Sequence, residues 1–496
     1  MSQSFPFTRR RFLAGSAATL MLGACGGGSS CGSSASSGNP SGNPVPDSSE
    51  PGPMMPRGLH VSLGEDSRSS RSLTWFTDGA DAPVPRLEWD VVDESMSEDD
   101  VAFQVFAHSV EASTDATPGV EAYTHRATVT GIDPERPLRY RVGSDEGGWS
   151  SVYVVPPSPA DQWSFIHFGD HGVGDMPQMV TDAVMGTPSD LLLLAGDLSY
   201  ANGDQPIWDL WFDQMQPLMS QRITMTAPGN HEQKDFGGDT FKNRFTHPGK
   251  PLGDLLGTGS PGSSYYSFDY NRVHFLVTTA GALINDGTLV EEILNIEADL
   301  AQAALRRLRG EIDFIVVMQH FTIWTDQDGR SPANPTLVAL EENIIVRYGV
   351  DLLLVGHDHV YQRSVPMAFG LPNPLGYVQV MVGTGGQSIR IFDDNGPQRW
   401  SASTFVGIGF AKYFVSPGKI AVEYYGAEPL DMSDEGRRHS DGEFSLRDSF
   451  EVTAKEAVAC LECAKPARSA DELLKDYPAI AAHTIARNKH ALEHCG

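Results

Sequence analysis

The sequence predicts two folded parts in series, an all-β sandwich and then a layered α/β domain. Three observations carry this. Residues 56–157 hold short alternating segments cut by turn-rich pieces. From Trp163 onward the apolar runs become short and continuous, as strands buried on both faces require. Helix-like stretches then separate several of those runs, which implies layers of helix and sheet.

In the first part, Leu59–Leu63, Ser72–Phe76 and Arg139–Val142 alternate as half-buried strands do, and Thr77-Asp78-Gly79 reads as a turn between them. About a hundred residues of this texture fit a sandwich. Pro156-Pro157-Ser158-Pro159 forms a stiff hinge into the second part, residues 163–427. There, Phe165–Phe168, Leu191–Ala195, Ile223–Ala227, Phe314–Met318 and Val350–Val355 are the expected buried strands, with helices over Glu291–Arg309 and Leu337–Tyr348. Further strands are expected near Tyr377–Val382, Tyr413–Val415 and Ile420–Tyr425. Gln205–Gln221 and Asp235–Gly262 read as loops that shape a binding site. Residues 428–496 form a C-terminal extension with helical composition from Ala454.

The chain has 496 residues, 40% hydrophobic and 20% charged, with a formal net charge of −28. Such acidity argues against nucleic-acid binding, which rewards clustered Lys and Arg. It leaves a small phosphorylated substrate open, because buried cations dominate the field close to them. At the N-terminus, Thr8-Arg9-Arg10-Arg11-Phe12-Leu13 resembles a twin-arginine export signal, and the apolar stretch to Ala24 is too short to span a bilayer. Leu22-Gly23-Ala24-Cys25 resembles a bacterial lipobox with Cys25 as the lipidated residue, the other reading being ordinary cleavage near Ala24. Residues 26–55, rich in Gly, Ser, Pro and Asn, are the tether of an envelope protein facing the periplasm or the exterior. Five cysteines are present, and none lies between Gly32 and Ala459. Cys460, Cys463 and Cys495 fit a tail disulfide. Haem attachment is excluded, since Ala464 follows Cys463.

Each of the five expected buried strands ends in residues able to bind metal: Asp170, then Asp197 and Tyr200, then Asn230 and His231, then His320, then His357 and His359. Glycines precede Asp170, Asp197, Asn230 and His357, and they let the backbone turn sharply. Loops after strand ends share one edge of an open α/β sheet, so these side chains are expected to converge there. Each motif alone is common; five in order at strand ends are not.

The series Gly-Asp-x-Gly, Gly-Asp-x-x-Tyr, Gly-Asn-His-Glu, a lone His and Gly-His-x-His resembles the calcineurin-like metallophosphoesterases, and Tyr200 narrows this to the purple acid phosphatase branch. His125-Arg126-Ala127 through Tyr140-Arg141-Val142-Gly143 resembles that branch's fibronectin-type domain. The likeness implies that Asp170, Tyr200 and His359 bind a ferric ion. It implies that Asn230, His320 and His357 bind a divalent one (Zn, Mn or Fe) and that Asp197 bridges both. Donor chemistry agrees, with hard carboxylate and phenolate for the trivalent ion, imidazole and amide oxygen for the other. The implied reaction is hydrolysis of phosphate monoesters by attack of metal-bound hydroxide. A phosphodiesterase on nucleotides or lipid headgroups is the alternative, and a non-catalytic surface binding protein a third reading. His231 would face the substrate. The general acid stays open among His231, Asp326 and none at all for an activated leaving group, because no His follows His320 before His357. His171 reads as a loop residue without a role. Gln362 stands where Glu is common in the family, which would alter hydrogen bonding around the site.

Overall fold

The computed structural model describes residues 54–455 apart from 80–83, 94–95, 97–104, 120–121, 160, 249–263, 281–288, 332, 335–336, 339–341, 369 and 395. The expected signal, nearly all of the tether and the tail cysteines lie outside the described residues.

The first part forms β1 (Arg57–Leu63), β2 (Arg71–Thr77), β3 (Arg86–Val91), β4 (His108–Glu111), β5 (Ser113–Ala116), β6 (Tyr123–Val129), β7 (Leu138–Ser144), β8 (Gly148–Trp149) and β9 (Tyr153–Val155). One layer runs β1-β2-β6-β5; the other is β4-β3-β7 with β8 and β9 against β7. Leu73, Val129, Tyr140 and Val142 are buried in one shared core, the β-sandwich expected.

The second part begins with β10 (Trp163–Phe168), α1 (Asp175–Met185), β11 (Leu191–Ala195), α2 (Gln205–Met219) and β12 (Ile223–Ala227). It continues with α3 (Asn230–Gln233), α4 (Asp239–Arg244), β13 (Tyr266–Tyr270), β14 (Val273–Val277), α5 (Leu289–Leu308) and β15 (Phe314–Met318). Then come α6 (Asn343–Arg347), β16 (Leu352–Val355), β17 (Tyr361–Ser364), the small pair β18 (Met367–Ala368) and β19 (Leu371–Pro372), and β20 (Val378–Val382). The last strands are β21 (Ser401–Phe405), β22 (Ile408–Ser416), β23 (Lys419–Ala427) and β24 (Ser445–Thr453).

These strands make two facing sheets, the layered α/β arrangement expected. The first places β10, β11 and β12 in parallel, with β22, β23 and β24 antiparallel beyond β10. The second runs β13-β14-β15-β16-β20-β17-β21, with β14, β15, β16 and β20 parallel. The sheets meet face to face, Phe165 of β10 edge-on to Phe275 of β14 at 5.6 Å. Alternation shows the layering: Phe314, Val316 and Met318 enter the inter-sheet core, whereas Ile315 and Val317 join the cluster with Ile293, Ile296 and Leu300 of α5. The five metal-motif strands therefore divide between two sheets, three in one and two in the other.

Three expectations need correction. Gln205–Gln221 is not a loop: Trp208, Trp211, Phe212, Met215, Leu218 and Met219 recur at helical spacing and are buried, with Pro206 in the first turn of α2. The boundary at 427 separates strands that pair, because β24 lies along β23. The sandwich is not set apart from the second domain by its sheet, because β1 pairs with β12 through Val61 and Ile223.

Candidate metal centre

The seven side chains singled out in the sequence come to one end of the facing sheets. Asp170 follows β10, Asp197 and Tyr200 follow β11, Asn230 follows β12, His320 follows β15, and His357 and His359 follow β16. Backbone bonds extend the strand order into these loops. Asp170 N donates to Gly196 O at 3.1 Å in the first sheet, and Gly356 N to His320 O at 3.0 Å in the second. His320 Nδ1, 2.7 Å from the carbonyl of Ala195, ties the two sheets together at the site.

That contact also fixes the ring. A carbonyl only accepts, so Nδ1 carries the proton and Nε2 points inward. His320 Nε2 lies 3.1 Å from Asp197 Oδ2, 3.2 Å from Asn230 Oδ1 and 3.2 Å from His357 Nδ1. Among the described residues, Asp197, His320 and His357 bring ligand atoms within 4.8 Å of one another. A second group stands beside it: Tyr200 Oη is 3.0 Å from Asp170 Oδ1 and 3.1 Å from His359 Nε2, and those two are 3.2 Å apart. His359 is oriented by Ser388 Oγ, 2.5 Å from Nδ1, and by Gln327 Oε1, which accepts its backbone N–H at 2.7 Å.

Both groups turn acceptors of several side chains toward one another. Burial disfavours a charged His320, yet the carboxylates of Asp197 and Asp170 overcome it and hold the ring up at about 10. Burial, then Asp170 and Asp197, pushes the Tyr200 phenol well above its usual range. Donors about 3 Å apart are what a cation bound at about 2.0–2.3 Å would span, so the residues fit metal.

Backbone strain concentrates here too. Asp170, Asp197, Tyr200 and His357 all have positive φ, at 59°, 50°, 59° and 71°, and so does Asn202 at 51°. Each costs on the order of 1–3 kcal/mol and persists where surrounding structure enforces it. The glycines thus do less turning than expected. Of the four, only Gly196 has positive φ. The others permit close approach: a Cβ at Gly356 would come 2.6 Å from Asp170 Oδ2, and one at Gly229 would collide with Asp197 Oδ1.

Sequence reasoning missed several supporting residues. Glu232 forks beneath the loops, accepting from Asp197 N at 2.8 Å, Leu198 N at 2.9 Å and Gly229 N at 2.8 Å. Burial and then the Asp197 charge lift its carboxyl to about 7. His171 is no idle loop residue. Its Nε2 lies 3.0 Å from both Pro177 O and Thr181 Oγ1, and Trp211 Nε1 donates to its Nδ1 at 3.0 Å. It therefore ties the loop of Asp170 to α1 and α2. Asp326 is only 6% exposed and accepts from Gln362 Nε2 at 2.7 Å and Gln398 N at 2.9 Å. It is built into the wall. His231, by contrast, stays partly open, its Nε2 3.7 Å from Asp197 Oδ2 and its ring 4.1 Å from that of Tyr200.

Comparison with known proteins agrees with this arrangement. Residues 164–361 match the family model for calcineurin-like phosphoesterases, and residues 56–155 match that for the purple acid phosphatase N-terminal domain. The chain is purple acid phosphatase-like, with a calcineurin-like phosphoesterase domain at residues 164–361. It is 27% identical to purple acid phosphatase 21 of Arabidopsis thaliana, over 53% of this chain and 58% of that protein. To purple acid phosphatase 23 of the same plant it is 26% identical, over 54% and 63%. It thus spans less than two thirds of either relative. Among solved structures, purple acid phosphatase PPD1 from yellow lupin (Lupinus luteus) seeds has a similar fold, with TM-score 0.63 and 21% identity over 84% of this chain and 77% of that one. Purple acid phosphatases are binuclear metalloenzymes, and the donor cluster lies within the matched segment.

Proposed function

We propose that the chain is an exported binuclear-metal phosphatase that hydrolyses small phosphate monoesters. The observation that carries this reading is the pair of adjoining donor groups, one around Asp170, Tyr200 and His359, the other around His320. Asp170, Tyr200 and His359 would hold the ferric ion. Asn230, His320 and His357 would hold a divalent zinc, manganese or iron, and Asp197 would bridge. Such a pair, when bound, neutralises phosphate oxygens and acidifies a water enough to act near neutral pH.

The protein's own residues do the rest. The Glu232 fork keeps Asp197 aimed inward, and Ser388 and Gln327 keep His359 turned toward Asp170. With Asp326 walled in, His231 is the group left to protonate the leaving oxygen, and its side chain retains 18% exposure. Export by the twin-arginine route and lipid anchoring at Cys25 in a bacterial envelope are supported by the N-terminal residues. Among the described residues, no helix is long and apolar enough to cross a membrane.

The test is metal content and visible spectrum of the purified mature chain, with hydrolysis of a monoester and a bis-ester measured alongside at several pH values. Two metals, a tyrosinate–iron band and faster monoester turnover are expected. A colourless, zinc-only, active protein would remove the iron–tyrosinate claim, and faster bis-ester turnover would favour the phosphodiesterase reading.

A further inference from the structure

Next to the metal-facing groups, one contact has no part in holding a cation. His231 Nδ1 lies 2.6 Å from Asn202 Oδ1. Asn202 Nδ2 in turn donates to the carbonyl of Tyr200 at 3.0 Å. A backbone carbonyl cannot donate, so the amide nitrogen must face it, and the amide oxygen is thereby turned to the histidine. An oxygen there requires the proton of His231 on Nδ1. Nε2 is then the only ring atom free to exchange a proton, and it is the atom directed at Asp197 Oδ2, 3.7 Å away. The Tyr200 ring, 4.1 Å off and tilted by 45°, blocks one face of the imidazole. The backbone N–H of His231, held by Asp197 Oδ1 at 2.8 Å, fixes the root of the side chain.

We infer that Asn202 is a positioning residue that sets the tautomer and rotamer of His231, so that Nε2 alone serves the leaving oxygen. The residue type suits the place. Asn202 has φ of 51°, a conformation that Asn tolerates and most residues do not, and its short amide reaches both Tyr200 O and His231. An aspartate would keep the acceptor. A glycine would keep the backbone and lose the acceptor.

This inference rests on His231 being the general acid, and the experiment separates the two. Asn202→Gly, Asn202→Asp and His231→Ala are prepared as the full metal-loaded protein, and kcat and KM are measured on para-nitrophenyl phosphate and ethyl phosphate. The first leaving group needs no proton; the second does. Asn202→Gly is expected to lower kcat on ethyl phosphate by about tenfold or more while para-nitrophenyl phosphate changes by less than about threefold. KM should hold, and Asn202→Asp should restore ethyl phosphate turnover. A nitrogen-15 histidine spectrum of the zinc-loaded protein should show His231 protonated on Nδ1 and lose that pattern in Asn202→Gly. If His231→Ala affects both esters equally, the general-acid reading fails. If His231→Ala is selective but Asn202→Gly is not, or if the tautomer survives Asn202→Gly, the role of Asn202 is overturned.

Discussion

Two buried clusters in this molecule use the same residue types and come out opposite. Around His320, two carboxylates, an amide oxygen and a second imidazole turn toward one another. Around His274, on β14, two carboxylates flank one ring: Asp269 Oδ1 at 2.8 Å from Nδ1 and Asp299 Oδ2 at 2.8 Å from Nε2. There the remaining oxygens are also served. Arg306 contacts both oxygens of Asp269, at 3.1 and 2.5 Å, and Ser267 Oγ donates to Asp299 Oδ1 at 2.8 Å. The His274 network is complete within the protein and pins α5 to the β13–β14 hairpin. The His320 group instead turns acceptors of several side chains toward one another, the arrangement a cation would fill. What distinguishes a structural cluster from a metal site is therefore how its spare lone pairs are filled, not its composition.

Removing a carboxylate from each side breaks the comparison most sharply. Asp197→Ala should cost on the order of a thousandfold in kcat/KM, since charge stabilisation at the phosphate is lost. Its metal-free melting midpoint should move less than that of the network variants. Retained turnover in Asp197→Ala would undo the site.

His274→Ala should do the reverse, destabilising the fold by about 3–5 kcal/mol because the buried Asp299 carboxylate loses its cation, with turnover per folded molecule unchanged. Its pH signature is specific. Burial alone would lower the pKa of His274, but Asp299 and Asp269 raise it to about 9. The folded pKa is above the unfolded one, so this contribution is full below about 6.5 and is lost as pH rises through about 9. Denaturant melts at several pH values should show that decline in the parent and not in His274→Ala.

Smaller effects sharpen the boundary between the two kinds of cluster. Glu232→Gln leaves the metal-facing set intact but weakens the fork under Asp197. A loss of about 10–100-fold in metal affinity or activity is expected, read by titration with a competing chelator. Gln362→Glu, which restores the residue common in the family, would set a second carboxylate 2.7 Å from Asp326. It should cost roughly 1–3 kcal/mol at pH 7 and less in acid, where one of the two can be protonated.

The site was more legible in the sequence than the frame around it. Each metal-motif strand is a run buried on both faces that stops at a polar residue, a signal needing no tertiary knowledge. Which sheet a strand joins is another matter. Leu191–Ala195 and Phe314–Met318 look alike in sequence but sit in different sheets, because pairing partners are set by long-range packing. Helix α2 is legible in the sequence: its Trp208, Trp211, Phe212 and Met215 have helical spacing, and Pro206 falls in the first turn, where proline is tolerated. Asn202 and Ser388 had no local signal, and Glu232, although part of the Gly-Asn-His-Glu motif, gave no sign of its role, since their work is to hold backbone or rings that other segments supply.

The central claim, that seven side chains from five loops hold two cations, is met most directly by anomalous X-ray diffraction from the metal-loaded protein. Two peaks are predicted, one touching Asp170, Tyr200 and His359 and the other Asn230, His320 and His357, each at about 2.0–2.3 Å and both touching Asp197. A single peak, or a second one away from these residues, would contradict it.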